Sequence, residues 1–287
     1  MMKENDLIIR DKKRGQIMMY IALMVAFLFV MLPFFLVLIN AFKLKGDIIR
    51  NPLNLIGSKG FTFKNFTEAI ERMSFWKAMG NSTVITLSAT IITIVFSAMS
   101  AFVIARNDWK VCRILYVAMI SSMVVPFQVV MVPLISIYGG TLNMLNNRIT
   151  LILMHVGFHV SLDTFLFCGA IKSSVPRELE EAAEIDGCSP WRTFWTIVFP
   201  LLKPTTLTVF IINSMTHWND FLLPSLVLSK KHLYTLPIAM RAFNGQFTTD
   251  IGLVMASLLL MMIPILTLYL LLQKYIVEGI TAGAVKS

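Results

Sequence analysis

Four stretches of this 287-residue chain exceed 20 residues without a single charged side chain: roughly 16–42, 80–105, 114–138 and 251–273. A helix needs ~20 such residues to cross the ~30 Å hydrocarbon core of a bilayer. Two further runs are nearly as clean. Residues 149–171 contain Asp163, and residues 204–228 contain His217 and Asp220. With 56% apolar and only 14% charged residues, the chain is too greasy for an ordinary soluble domain. The expected fold is all-α: a polytopic membrane domain of six helices over 16–278, between an N-terminal segment (1–15) and a short tail (279–287). The first run is too long for a signal-peptide core and lacks a small-residue cleavage site, so it reads as an uncleaved first helix.

The net charge of +9 points to membrane topology rather than nucleic acid, because basic residues gather in cytoplasmic loops. Lys3, Arg10, Lys12, Lys13 and Arg14 precede the first span and place the N-terminus inside. Six spans then return the C-terminus to the same side, giving a multi-pass protein of the cell membrane. Arg106, Lys110 and Arg113 in the second connection agree, against Arg148 alone in the third. The connection from Lys43 to Lys77 carries seven basic residues yet falls outside, against the rule. Its second half reads as an amphipathic surface helix, with Phe66, Ile70, Met73 and Trp76 on one side. Cys112, Cys168 and Cys188 match no metal or disulfide spacing and read as filler.

Span two carries Thr86, Thr90, Thr93, Ser97 and Ser100 on one face, a pattern that marks close helix packing in lipid. Span three should bend, since Pro126 and Pro133 each remove a backbone donor. Spans four and five hold the ionisable residues, which are costly in a bilayer and face a cavity or a partner. His155, His159 and Asp163 share one face of span four. Asn213, His217 and Asp220 share one face of span five, with Trp218 and Asn219 beside them. These stripes either line a hydrophilic path or pair off within their helices, His159 with Asp163 and His217 with Asp220. The mixture of a stacking ring with hydrogen-bonding groups, which suits sugars, favours the path for span five. For span four the readings are level. No third ligand of suitable spacing stands beside the histidine pair, so no metal is expected. There is no GxxxxGK[ST], GxSxG, HExxH or GxGxxG motif, and a chain that uses ATP must borrow it from a partner.

Five of the sixteen acids fall between Glu178 and Asp186. Ser174-Val175-Pro176 starts a helix there and Gly187 stops it. On this helix Glu180, Glu181 and Glu184 lie on one side, with Leu179, Ala182 and Ala183 opposite. Ser189-Pro190 opens a second short helix that ends at Pro200. The pair is either a solvated connector or a docking element whose alanines permit close approach to a groove.

Glu181-Ala182-Ala183, Gly187, Ile197 and Pro200 match EAA-x3-G-x9-I-x-[L]-P, with Phe199 at the leucine position. This resembles the EAA loop of permease subunits of binding-protein-dependent ABC importers. The stretches SAFVIAR (100–106), VPFQVVMVPL (125–134), VPREL (175–179), WNDFLLP (218–224) and QKYIVEGITAGAVK (273–286) are similar to the carbohydrate branch and its maltose-type second subunit. The resemblance implies a cytoplasmic two-helix coupling loop (174–200) that docks on an ATPase through Glu181, Ala182, Ala183, Asp186, Gly187, Ile197 and Pro200. It further implies a heterodimer with a homologous permease, two ATPase subunits that bind ATP and magnesium, an extracytoplasmic sugar-binding protein, and no cofactor or catalysis in this chain itself. Three rivals stand beside it. They are a membrane-embedded enzyme using His155, His159 and Asp163 on a lipid-linked substrate, a passive channel, and an importer of a non-sugar solute.

Overall fold

The computed structural model describes the backbone of residues 2–243 and 250–284, and the side chains of residues 13, 15–241, 243 and 250–273. The side chains of Lys3, Arg10, Lys12 and Arg14, and those of the tail beyond residue 273, lie outside the described residues. Helix α1 (Met2–Ala41) is followed by two short helices, α2 (Lys45–Arg50) and α3 (Lys64–Arg72). Next come α4 (Phe75–Arg106), α5 (Lys110–Ser122), α6 (Phe127–Thr141, ending in a π-helical turn) and α7 (Arg148–Ser174). The acidic stretch forms α8 (Arg177–Ile185), and α9 (Pro190–Leu201) leads into α10 (Lys203–Asn219). Short helices α11 (Leu222–Val227) and α12 (Leu236–Ala239) precede α13 (Ile251–Ala284). Among the described residues there is no β-strand.

Among the described residues, four helical stretches are long and apolar enough to cross a bilayer: Gly15–Ala41, Phe75–Arg106, Arg148–Ser174 and Ile251–Gln273. Two bent pairs bring the number to six if each pair is one crossing. The pair α5 and α6 bends by 98°, which breaks the run expected over 114–138. Pro126 caps α6 at the break and has no amide to continue a helix. Pro133 stays inside α6, and the chain loosens into a π turn over Ser136–Thr141. The run expected over 204–228 also differs. Helix α10 ends at Asn219, because Asp220 is extended and its Oδ1 accepts the Leu222 N–H (2.9 Å), starting α11. At its other end α10 meets α9 at 76°.

The chain forms two compact units, residues 1–72 with 242–260 and residues 73–241 with 261–287. In the first, the free carbonyls at the end of α1 are claimed by side chains. Asn65 Nδ2 donates to Ala41 O and Lys43 O, both at 2.8 Å. The buried Lys43 ammonium donates to Asn40 Oδ1 (3.1 Å), Asn51 O (3.2 Å) and Pro52 O (3.3 Å), which uses its three donors. A cation suits this end of a helix, where the dipole is negative. Around it the Phe42 ring meets Phe61, Phe63 and Phe66. Gly252 belongs to the same arrangement, since a Cβ there would lie 2.9 Å from both polar atoms of Asn65. Replacing Asn65 with alanine leaves two buried carbonyls unpaired, a cost of about 1–3 kcal/mol. We expect a Tm lower by a few degrees for the detergent-purified protein, and a similar drop for Gly252→Val. An unchanged Tm in both would remove Asn65 from this capping role.

The amphipathic helix expected before span two is shorter than its sequence pattern. Ser74 adopts φ 50°, which ends the local helix and starts α4 at Phe75. Met73 is buried, but Trp76 rides on α4 and is 74% exposed.

In the second unit α4 packs against α7 and α10. Ala89, Ala98 and Ala101 are fully buried and let the backbones approach. Thr86, Thr90, Thr93 and Ser97 are buried on the same helix. Thr93 bonds back to Ala89 O (2.7 Å), whereas Ser97 crosses to Val160 O on α7 (3.2 Å). The hydroxyl face is therefore a packing face. Phe167, Ile171, Phe194, Val198 and Leu202 fill the interior at one end of α4, and Ile85, Leu151, Leu223 and Val227 fill the other.

Candidate functional site

The acidic helix α8 begins after Pro176 with Glu178 and Glu180 in its first turn, where the helix dipole favours acids. It stops at Gly187, whose φ of 79° is left-handed. Gly187 N–H donates to Glu184 O and Cys188 N–H to Ala183 O, both at 2.9 Å. This is a Schellman ending. A Cβ built on Gly187 meets nothing within 4 Å, so the turn needs glycine for its backbone angle, not for space. Ser189 Oγ then accepts the Arg192 N–H (3.3 Å) and opens α9. Within α9 the rings of Phe194, Trp195 and Phe199 lie edge-on or tilted to one another. A π turn over Phe194–Val198 precedes Pro200, which has no amide to donate.

The faces of α8 differ from the expected arrangement. Ala183 is buried, but its companion on the inner side is Glu180 rather than Leu179 or Ala182. Arg106, the last residue of α4, holds that carboxylate. Its Nε donates to Oε1 (2.8 Å) and Oε2 (3.1 Å), and its Nη2 donates to Oε1 (2.6 Å) and to Val175 O (2.7 Å). The two side chains are only 12% and 16% exposed. A bidentate charged pair of this kind is stronger than a neutral hydrogen bond, and it sets the rotation of α8. Leu179, Ala182 and Ile185 consequently point outward, with Ile185 87% exposed. Glu181, Glu184, Asp186 and Gly187 are exposed as well, Pro200 is exposed, and Ile197 is half-buried. Arg106 was not among the expected site residues. Its sequence signals are a basic residue closing span two and the last position of the stretch SAFVIAR (100–106).

The second gathering of polar residues lies between α7 and α10. Asn213 Nδ2 donates to Asp163 Oδ2 with both residues buried, so these two join the helices. The His217 ring sits 4.5 Å, centroid to centroid, from both His155 and His159. Its Nδ1 lies 3.2 Å from Thr90 Oγ1 on α4, and its Nε2 lies 3.3 Å from His159 Nδ1. The within-helix pairs His159–Asp163 and His217–Asp220 give way to these contacts between helices.

His155, His159 and Asp220, with Ser122, Phe127 and Thr216, line a cavity of about 390 Å³. Trp218 is elsewhere: its Nε1 donates to Met261 O on α13 (3.1 Å), and it borders a separate, mainly apolar pocket beside Pro264 and Leu268. Asn219 is exposed and bonds back to Met215 O (2.8 Å). The structure thus divides the eight polar candidates into a group on the cavity (His155, His159, Asp220), a group between helices (Asp163, Asn213, His217) and two residues apart from both.

Residues 93–282 match the family described as binding-protein-dependent transport system inner membrane component. Over 254 residues the chain is 39% identical to the "Probable starch degradation products transport system permease protein" AmyC of Thermoanaerobacterium thermosulfurigenes, covering 88% of this chain and 91% of the relative. The melibiose/raffinose/stachyose import permease protein MelC of Bacillus subtilis is 36% identical over 89% of this chain and 91% of its own length. The multiple sugar-binding transport system permease protein MsmG of Streptococcus mutans is 35% identical over 96% and 99%. The fold is that of a chain in the crystal structure of a bacterial ABC transporter for the acidic polysaccharide alginate, with a TM-score of 0.79, 16% identity, and coverage of 93% of this chain and 98% of that one. The apolar crossings, the two-helix acidic segment and these matches converge: the chain belongs to the family of binding-protein-dependent transport system inner membrane components.

Proposed function

We propose that this chain is the permease subunit of an ATP-driven sugar importer, forming half of its translocation pathway and working by alternating access. Relatives with the carbohydrate names given above support the sugar class. One structural observation carries the coupling role. Helix α8 is fixed at its base by Arg106–Glu180 and presents Leu179, Ala182 and Ile185 outward on a rigid, glycine-terminated helix. An exposed apolar strip flanked by acids is a fitting plug for a groove with basic edges. We assign that groove to an ATPase subunit, one of two that bind ATP and magnesium. A second homologous permease completes the pathway, and an extracytoplasmic binding protein delivers the sugar. The α8–α9 segment and both termini lie on the cytoplasmic side in this reading, following the basic residues before span one and the even number of crossings.

We assign the cavity bordered by Thr216, His155, His159 and Asp220 to the pathway, and Asn213 and Asp163 to holding the helices that bound it. Single cysteines test this in a background without Cys112, Cys168 and Cys188. Cysteine at Thr216 or Asp220 should react with a small polar thiol reagent faster than cysteine at Ile212, which is exposed on the apolar surface of the same helix. Cysteine at Asn213 should be protected. The rates at Thr216 and Asp220 should change when ATP and the loaded binding protein are supplied. Equal rates at Thr216, Asp220 and Ile212 would refute the assignment.

A further inference from the structure

From the meeting of His155, His159 and His217 beside Asp220, we infer a binding site for a divalent first-row transition metal, of which zinc is the type case, tying α7 to the end of α10. Two histidines one turn apart on α7 offer half a site. The third comes from α10, a helix that the spacing within span four could not reveal. One ring nitrogen from each histidine lies within 4.8 Å of the other two. His159 Nδ1 lies 2.9 Å from His155 O and 3.3 Å from His217 Nε2; it donates to that carbonyl, which leaves His159 Nε2 for the metal. Tetrahedral zinc with 2.0–2.1 Å bonds holds its ligand atoms about 3.3 Å apart, so separations of up to 4.8 Å must close by as much as about 1.5 Å, a shift that rotation of imidazole rings supplies.

Three further observations point to a cation. His155 Nε2 is buried and has no hydrogen-bond partner. It faces Asp220 Oδ2 across 4.0 Å, a gap too long for a hydrogen bond and suited to an ion bound to both. The carboxylate supplies the fourth ligand and part of the balancing charge. Behind His217, Thr90 Oγ1 stands 3.2 Å from Nδ1. A proton on Nδ1, donated to that hydroxyl, leaves Nε2 free for a metal, which is the outer-shell arrangement that orients metal-binding histidines. Entry is provided by the cavity, on which His155, His159 and Asp220 all open. Three imidazoles and one carboxylate suit zinc, copper or nickel, and not calcium or magnesium, which take oxygen ligands.

The test uses the detergent-purified transporter, stripped with chelator and titrated with Zn2+ alone and, separately, with Co2+ alone. The comparison is a variant carrying His155→Gln, His159→Gln and His217→Gln. The original protein should bind one more equivalent of Zn2+ than the triple variant. Its Co2+ form should show the strong visible absorption of a tetrahedral ion. His217→Gln alone should weaken Zn2+ at least tenfold, and Asp220→Asn, which can still cap α11, should weaken it less. Equal Zn2+ binding by the original and the triple variant would overturn the proposal, as would Co2+ spectra that do not differ between them. Neither readout requires transport, so the outcome is independent of the proposed function.

Discussion

Replacing Arg106 with alanine is expected to uncouple the transporter while leaving its membrane insertion intact. Arg106 contributes three hydrogen bonds to Glu180 and one to Val175 O, and thereby fixes α8 to the end of α4. Exposed ion pairs contribute ~0–1 kcal/mol, and breaking a buried one costs ~3–5 kcal/mol. At 12% and 16% exposure this pair lies between, at about 2 kcal/mol, which is roughly thirtyfold in the balance between seated and detached α8. The consequence should be co-purified ATPase that is lost, or that hydrolyses ATP without responding to the loaded binding protein. The double variant Arg106→Glu with Glu180→Arg should recover part of the response. Full recovery is not expected, because glutamate cannot donate to Val175 O. Normal stimulation of Arg106→Ala would show that α8 holds its place without this clamp.

Gly187→Val should act at the other end of the same helix. The residue sits at φ 79°, a region that costs an L-residue roughly 1–2 kcal/mol, and most when the side chain is β-branched. Because an added Cβ meets nothing within 4 Å, the loss comes from backbone conformation alone. Gly187→Asn, which tolerates the left-handed region, should therefore retain most coupling, Gly187→Ala less, and Gly187→Val least. The measurement is stimulated ATP hydrolysis across the three variants. Equal losses in all three would show that a side chain in the docked interface, not the turn, is at fault.

Much of this architecture is legible in the sequence because it depends on local rules. Charge-free runs mark the crossings, Gly187 marks the end of α8, and Ser189-Pro190 marks the start of α9. The errors arise where distant residues decide. Glu180 turns inward because of Arg106, 74 positions earlier, and no periodicity within α8 carries that information. The bend of span three is legible from Pro126, although its size of 98° is not, whereas span five looks continuous by hydropathy, which does not register the cap that Asp220 provides. The same holds for the histidines. Each polar stripe is visible on its own helix, but His217 meets His159 across 58 positions and Thr90 across 127. Pairings within a helix are what a sequence offers first, and the packed structure replaces them with pairings between helices.

The most direct measurement combines sugar uptake and ATP hydrolysis in the same proteoliposomes, made with the complex that co-purifies with this chain. A panel of labelled oligosaccharides is supplied with and without the binding protein. The expected result is uptake of at least one sugar that requires both ATP and the loaded binding protein, with hydrolysis rising in parallel, and loss of both responses in Arg106→Ala. Sugar uptake that proceeds without ATP, or a chain that purifies with no ATPase and shows no stimulated hydrolysis, would contradict it.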